Sequence, residues 1–554
     1  MKMRIEMNDG MNSRLIPRMQ KIVMPVFGVV MCSVLASTAG AAVRRPNVIV
    51  VMADDISAKE FPVYGADSHY DDVVANTPVI DRLANEGCYL STVWASTVCM
   101  PTRAMLMSGR YAHLTKWWDN GQIGKVARGG GWQLNDSSPL TIGKVAEKAG
   151  YRSMWVGKTH VTSGMNFTDF GFDECLFSPG EPGVRGNSPY DHFLNVKNKN
   201  FWNYHSFLWW PEIQLAFHPD YPDDPNHWVE TEINDYGPDI EMKYIMDFME
   251  RAAKQDQPFF VYHTSHLGHQ AIDMASPKFN MTWPGTPKIT WNPESETYTR
   301  HEPKIIPQGP VNTRGTKYIK ENITPDKMRN QVEYLDYQLW QYLTKLEELD
   351  ELENTILIFT ADNGSKGWKA SVVRQRGVHV PFVVYAPGQP EFVQGEQQVI
   401  ADLTDVLPTL AEIMGTPLPP QAEYELSGKS LWPYLTKQEQ KHRDWIYAFK
   451  GPKQLIRSEH LLRDGNGDWW DVSSTPSDLD SYPEITDFEK LSPQQRKEKK
   501  MMEQAMAGFA REDIGGAHSF HADPSRKLTE QEKEKMRKKA EKLKAYMESQ
   551  GHGS

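Results

Sequence analysis

Pro46 to Asp55 reads PNVIVVMADD. Val48 to Met52 is an uninterrupted apolar run that leads into two carboxylates, Asp54 and Asp55. A continuous apolar run of this length suits a strand buried on both faces. Four further runs share the character: Ser153 to Val156, Phe259 to Tyr262, Thr355 to Phe359 and Pro381 to Tyr385. Helical patterns lie between them. Thr77 to Glu86 (TPVIDRLANE) has Asn76 as a candidate cap and Pro78 in its first turn. In Val332 to Leu349, residues Val332, Leu335, Leu339, Tyr342 and Leu346 recur every three or four positions, as on an amphipathic helix. Strands alternating with helices predict a wound α/β sheet.

The polar residues just beyond each strand are more telling than the strands. The second run leads to Gly157, Lys158 and His160, the third to His263, His266 and His269, and the fourth to Asp362, Asn363 and Gly364. Ligands of open α/β sheets bind beyond the carboxyl ends of the strands, so four such ends are expected to converge on one site.

Composition narrows the partners. The chain has 554 residues, 39% hydrophobic and 24% charged, which fits a soluble globular protein of one large domain and a smaller one. The formal charge is -11. Residues 1–42 hold five basic and two acidic residues, so the remainder carries 56 basic against 70 acidic, and nucleic acid is not an expected partner. Residues 22–36 read IVMPVFGVVMCSVLA, after Arg18 and Lys21 and before the small-residue run STAGAA. This reads as a signal peptide cleaved near Ala41 or Ala42, too short for a stable membrane anchor, and places the protein in the periplasm or outside the cell. Only Cys88, Cys99 and Cys175 come after it. That number excludes a disulfide framework, leaving either one bridge between Cys88 and Cys175 or none.

Residues 176–245 and 270–320 are rich in proline, asparagine, histidine and tryptophan with little periodicity, and read as long loops. After Pro433 come short strand-like pieces at Trp445 to Phe449, Leu455 to Arg457 and Trp469 to Val472 around the turn Asp464 to Asp468. Leu528 to Met547 reads as a charged, solvated helix. The expected organisation is a signal peptide at 1–42, a main domain at 43–435 and an α+β subdomain at 436–554.

Around the odd cysteine the sequence is STVCMPTRAMLMSGR, from Ser96 to Arg110, read as a loop entering a helix at Pro101. A helix N-terminus favours anions and a charged nucleophile, a thiolate included, and Arg103 lies one turn on to brace it. Asp54, Asp55, Asp362 and Asn363 offer only oxygen ligands, which favours a hard cation; calcium tolerates irregular coordination better than magnesium.

CMPTR followed by AMLMSGR resembles the signature of the formylglycine-dependent sulfatases, in which the cysteine of a Cys-X-Pro-X-Arg stretch is oxidised to formylglycine (3-oxoalanine). PNVIVVMADD, TPVIDRLANEG, GYRSMWVGKTH, PFFVYHTSHLGH, ADNG, HVPFVVYAPG and DLTDVLPTLAEIMG fall in that family's order. The resemblance implies an alkaline-phosphatase-like fold, a large mixed and mostly parallel sheet flanked by helices, with a smaller C-terminal α+β subdomain. It implies one Ca2+ held by Asp54, Asp55, Asp362, Asn363 and the modified residue 99, and a formylglycine-generating maturation enzyme as partner. It further implies that Lys158, His160, Lys369 and His269 supply the remaining charge and the proton transfers, with His269 and Lys369 serving the leaving group and His160 helping to expel sulfate from the covalent intermediate. His266 follows the same strand as His269, and Gly268 stands where the family usually has proline before the histidine.

Tryptophans at 117, 118, 202, 209, 210, 283 and 291 could stack on sugar rings or pack the loops themselves. The expected substrate is a sulfated polysaccharide fragment. A small aryl sulfate, a phosphodiester or phosphonate on the same scaffold, and a non-catalytic carbohydrate-binding role are the alternatives.

Overall fold

A computed structural model of the chain describes residues 44–66, 74–119, 134–161, 167–177, 213–217, 227–230, 236–269, 272–275, 281–282, 286–302, 306–307, 317–320, 325–365, 375–450, 453–473 and 482–509. The leader, Lys369, the charged segment 528–547 and Trp202, Trp209, Trp210 and Trp283 lie outside these residues. Among the described residues no helix is long and apolar enough to cross a membrane.

In chain order the elements that matter are β1 (Asn47–Ala53), α1 (Pro78–Glu86), β2 (Cys88–Trp94), α2 (Cys99–Ser108), β3 (Arg152–Gly157), β4 (Glu174–Phe177), β5 (Ile213–Phe217) and β6 (His227–Glu230). They continue with α3 (Gly237–Lys254), β7 (Phe259–Thr264), α4 (Pro325–Glu348), β8 (Thr355–Ala361), β9 (His379–Val380), β10 (Phe382–Tyr385) and β11 (Gly395–Asp402). The main sheet runs β9-β2-β10-β8-β1-β7-β3-β4-β5-β6, with β11 also on β2. Its centre, β8-β1-β7-β3-β4, is parallel, while β10, β5 and β6 join it antiparallel.

The centre forms because its strands are apolar on both faces. Every residue of β1 and of β8 is buried, and each side chain from Val48 to Met52 contributes about 1.5–3 kcal/mol of transfer free energy. Register follows: Ala53 faces Ala361, Met52 faces Thr264, and Gly157 also faces Thr264. Four strands therefore end at one level, which puts Asp54, Asp362, Ser265 and Lys158 along one sheet edge.

One open alternative is decided and two local expectations change. Cys88 and Cys175 sit on β2 and β4, six strand spacings apart in the sheet, or about 29 Å at 4.8 Å per spacing. A disulfide needs Cα atoms within about 7 Å, and all three described cysteines are free. Asn76 does not cap α1. The carboxylate of Asp336 on α4 takes the Val79 and Ile80 N–H groups at 3.1 and 2.6 Å, a cap delivered from across the sequence. Within the segments read as loops, α3 begins at Gly237, and a ribbon pairs Ile289–Asn292 with Thr297–Arg300.

Beyond Pro433, four antiparallel strands form a second sheet in chain order: β12 (Ile446–Lys450), β13 (Lys453–Arg457), β14 (Leu461–Asp464) and β15 (Trp469–Asp471). One of its faces packs with Trp94, Val378 and Ile400 and the other with Met105, Tyr111 and Trp118. Ser96, three residues before Cys99, donates to the Phe449 carbonyl at 2.5 Å, so this sheet also steadies the loop before α2.

Candidate active site at the carboxyl edge of the sheet

The helix begins at Cys99 itself, two residues earlier than expected, with Val98 as its N-cap. The thiol therefore sits in the first helical turn, 3.8 Å from Asp54 Oδ1 and 3.9 Å from Asp55 Oδ1. Asp54, Asp55, Cys99 and Asp362 each present a ligand atom within 4.8 Å of the others, and all four are buried.

Arg103 is wholly buried one turn further on. Its hydrogen bonds go to Asp362 rather than to the Cys99 side chain: Nε and Nη2 donate to Oδ2 at 3.0 and 2.7 Å. Nη1 donates to the Lys158 carbonyl at 3.2 Å. Lys158 Nζ donates to Asp54. Gly157 precedes it at φ +99, and a Cβ there would lie 2.1 Å from the Thr264 carbonyl oxygen, so only glycine lets β3 turn into the site. His160, two residues on, is buried with φ +47.

The two carboxylate loops are stapled together. Asp55 N donates to Asp362 Oδ1 at 3.0 Å, and Ser57 and Ser365 exchange N–H to hydroxyl bonds at 2.9 and 2.8 Å. Asn363 donates through Nδ2 to Asp55 and to the Gly364 carbonyl, yet its buried Oδ1 has no hydrogen-bond partner among the described residues.

The structure separates the two histidines. His269 Nε2 lies 3.8 Å from Asp55 Oδ2, and its side chain is 19% exposed, which makes it accessible from solvent. His266 is buried instead against Glu241 of α3, with Nε2 3.0 Å from Oε1. Gly268, in place of the family's proline, has φ +103, and a Cβ there would fall 2.0 Å from the Asp54 carbonyl oxygen. Proline is held near φ of about -65° and cannot take that conformation.

Electrostatics in the cluster are set by burial and by the company of like charges. Burial pushes Asp54 up, but Lys158 and Arg103 outweigh it and hold the carboxyl below its ordinary value. Asp55 is raised by burial and by Asp54 and Asp362, against the pull of His269. Asp362 is raised by burial and by Asp54, against Arg103 and Lys158. The Cys99 thiol is pushed well above its ordinary value, by burial first and then by the three carboxylates against the pull of Lys158. In the absence of a cation this environment therefore favours the neutral thiol over the thiolate.

The donor set fits a hard divalent cation. Oxygens dominate, two carboxylates are held above their ordinary ionisation, and an amide oxygen is buried unpartnered beside them. A cation would satisfy all three conditions.

Residues 46–416 match the family model described as Sulfatase. The chain belongs to the sulfatase family. It is accordingly a sulfuric ester hydrolase. A sulfatase of Formosa agariphila is 26% identical over 480 residues, covering 77% of this chain and 79% of that protein. Human arylsulfatase A is 26% identical over 463 residues, covering 78% and 76%. Among solved structures, Ps i-CgsB in complex with k-i-k-neocarrahexaose aligns at TM-score 0.59 and 19% identity, over 86% of this chain and 95% of that one. A protein solved with its substrate D-glucosamine-2-N,6-O-disulfate aligns at 0.55 and 18%, over 87% and 100%. These two likenesses show the shared fold.

Sequence reasoning missed Glu241, Gln331, Ser57 and Ser365. None has a motif of its own; each acts by holding a loop whose function lies elsewhere. The tryptophan reading also changes. Trp117 and Trp118 are buried and serve packing, while the half-buried Trp291 packs one side on Tyr298 at 4.8 Å between ring centres.

Proposed function

We propose that this sulfatase is exported and removes sulfate from oligosaccharides derived from sulfated polysaccharides. In this reading a maturation enzyme converts Cys99 to formylglycine, and one Ca2+ is held by Asp54, Asp55, Asp362, Asn363 and residue 99. The observation that carries it is the gathering of Cys99 with three carboxylates at the start of a helix. The hydrated formylglycine supplies the oxygen nucleophile that the raised thiol does not. The Ca2+ supplies positive charge to that nucleophile and to the sulfate oxygens.

A count of charges supports the cation. Among the described residues, Asp54, Asp55 and Asp362 face two fixed cations, Arg103 and Lys158, so that set with all three carboxylates ionised carries one net negative charge and repels a sulfate ester. A divalent cation turns that balance to one net positive charge. Arg103 holds Asp362 in place and keeps its charge local. Lys158, anchored by Asp54, directs its ammonium toward the sulfate, and His160 assists the departure of sulfate after the first bond breaks. His269 Nε2, with Lys369, delivers a proton to the departing sugar oxygen, a task that suits an imidazole near neutral pH. The saccharide preference draws on two proteins of the same fold that were solved with carbohydrate ligands, one of them a disulfate.

The test is a side-by-side assay of matured protein on sulfated oligosaccharides, an activated aryl sulfate and a phosphate diester. Sulfate release from an oligosaccharide with kcat/KM at least about 10-fold above the aryl ester supports the reading. Preference for the aryl ester makes it an arylsulfatase, and preference for the diester makes it a phosphodiesterase.

A further inference from the structure

A buried polar cluster lies behind the active site, and the chemistry above makes no use of it. Glu241 on α3, His263 on β7 and His266 in the following turn are all buried, as is Tyr342 on α4. Tyr342 Oη lies 3.0 Å from His263 Nδ1, and His263 Nε2 lies 3.4 Å from Glu241 Oε2. The other carboxylate oxygen, Oε1, lies 3.0 Å from His266 Nε2, an ion-pair distance whose atoms are not in line for a hydrogen bond. One carboxylate thus serves two imidazoles. Burial pushes the Glu241 carboxyl up, but His266 and His263 outweigh it and keep it below its ordinary value.

The turn that carries His266 is the one that delivers His269. His269 N donates to the His266 carbonyl at 3.2 Å, Gly268 N donates to Gln331 Oε1 at 2.8 Å, and the Leu267 carbonyl accepts from Asp54 N at 3.0 Å. The turn is therefore fixed to the Asp54 backbone on one side and to Glu241 and Gln331 on the other. Such a turn holds an imidazole to the fraction of an ångström that proton delivery demands.

We infer that Glu241, through its contact with His266, is a positioning residue that sets the place of His269 for protonation of the leaving oxygen. The inference rests on the reading of His269 as the leaving-group acid. Glu241 is buried behind the turn against His263 and His266, and acts through that turn.

A leaving-group comparison isolates this role. A sugar alkoxide needs a proton to depart, whereas a nitrophenolate departs with little help, so a misplaced acid slows the sugar ester more. Matured wild type, Glu241→Gln, His266→Asn and His269→Ala are compared on a sulfated sugar and on 4-nitrophenyl sulfate, with calcium content measured for each. The expected result for Glu241→Gln and His266→Asn is a fall in the sugar-to-aryl ratio of kcat by about 10-fold, with calcium content kept and KM little changed. His269→Ala is expected to lower the same ratio further. Equal losses on both esters, or no loss, in the first two variants while His269→Ala lowers the ratio would overturn the positioning role alone. An unchanged ratio in His269→Ala would overturn the acid assignment, and the inference with it. If Glu241→Gln does not fold, His266→Asn is decisive; failure of both to fold makes the pair a structural one and overturns the inference.

Discussion

Arg103→Met removes the guanidinium that neutralises the middle of the carboxylate cluster. Arg103 and Asp362 are both wholly buried and joined at 3.0 and 2.7 Å, with a further bond from Nη1 to the Lys158 carbonyl. Removing one partner of a buried ion pair leaves an uncompensated charge and costs about 3–5 kcal/mol. The abandoned carbonyl adds roughly 1 kcal/mol. Part of that cost disappears if Asp362 is made neutral, because Arg103→Met with Asp362→Asn leaves no orphan charge between them. The double variant should therefore be more stable than the two single losses predict, by about 2–3 kcal/mol. Urea unfolding of the four proteins at pH 7 in the presence of a chelator measures this, since bound Ca2+ would otherwise mask the difference. A single-variant loss under about 1 kcal/mol, or additivity within about 0.5 kcal/mol, would refute the claim that this pair governs the cluster.

Asp55 and Asp362 are both held above their ordinary value of 3.8, by burial first. In metal-free protein their contribution to stability is thus fullest below that value and is lost as pH rises through the folded value. Ca2+ binding should consequently release protons, seen calorimetrically as a dependence of heat on buffer ionisation; no such dependence would contradict the shifts. Asp336 is pushed up to about 7 by burial, against Tyr298 and the Ile80 and Val79 N–H groups. Its share of stability falls as pH rises from about 4 to 7, and Asp336→Asn should remove that slope from a series of urea midpoints. Gly268→Pro, which restores the family's usual residue, should cost at least about 3 kcal/mol because φ is +103 and the N–H is bonded to Gln331. A stable, active Gly268→Pro protein would show that the turn relaxes.

Much of this was legible in the sequence because burial on both faces leaves a simple mark. Val48 to Met52 and Thr355 to Phe359 announce central strands by apolar content alone, and the carboxylates after them mark the edge where the site forms. What stayed hidden depends on pairs far apart in the chain. His266 and His269 come after the same strand, and only the fold, which brings Glu241 from a preceding helix against His266, shows which one lies in the interior. Asp336 caps a helix that precedes it by more than two hundred residues, which no local capping pattern reveals. Cys88 and Cys175 look pairable until the strand order separates them. The start of α3 was lost because its first five residues, with Pro238, Asp239 and Glu241 all buried, lack the polar face of a surface helix.

The central claim is that the nucleophile is made from Cys99 by oxidation. Peptide mass analysis across Cys99 to Arg110, on protein exported with a maturation enzyme and titrated for active sites, tests it most directly. The account predicts an aldehyde at residue 99 in proportion to turnover, and near-complete loss of turnover in a folded Cys99→Ser protein. Full sulfatase activity from protein whose residue 99 is an unmodified cysteine would contradict it.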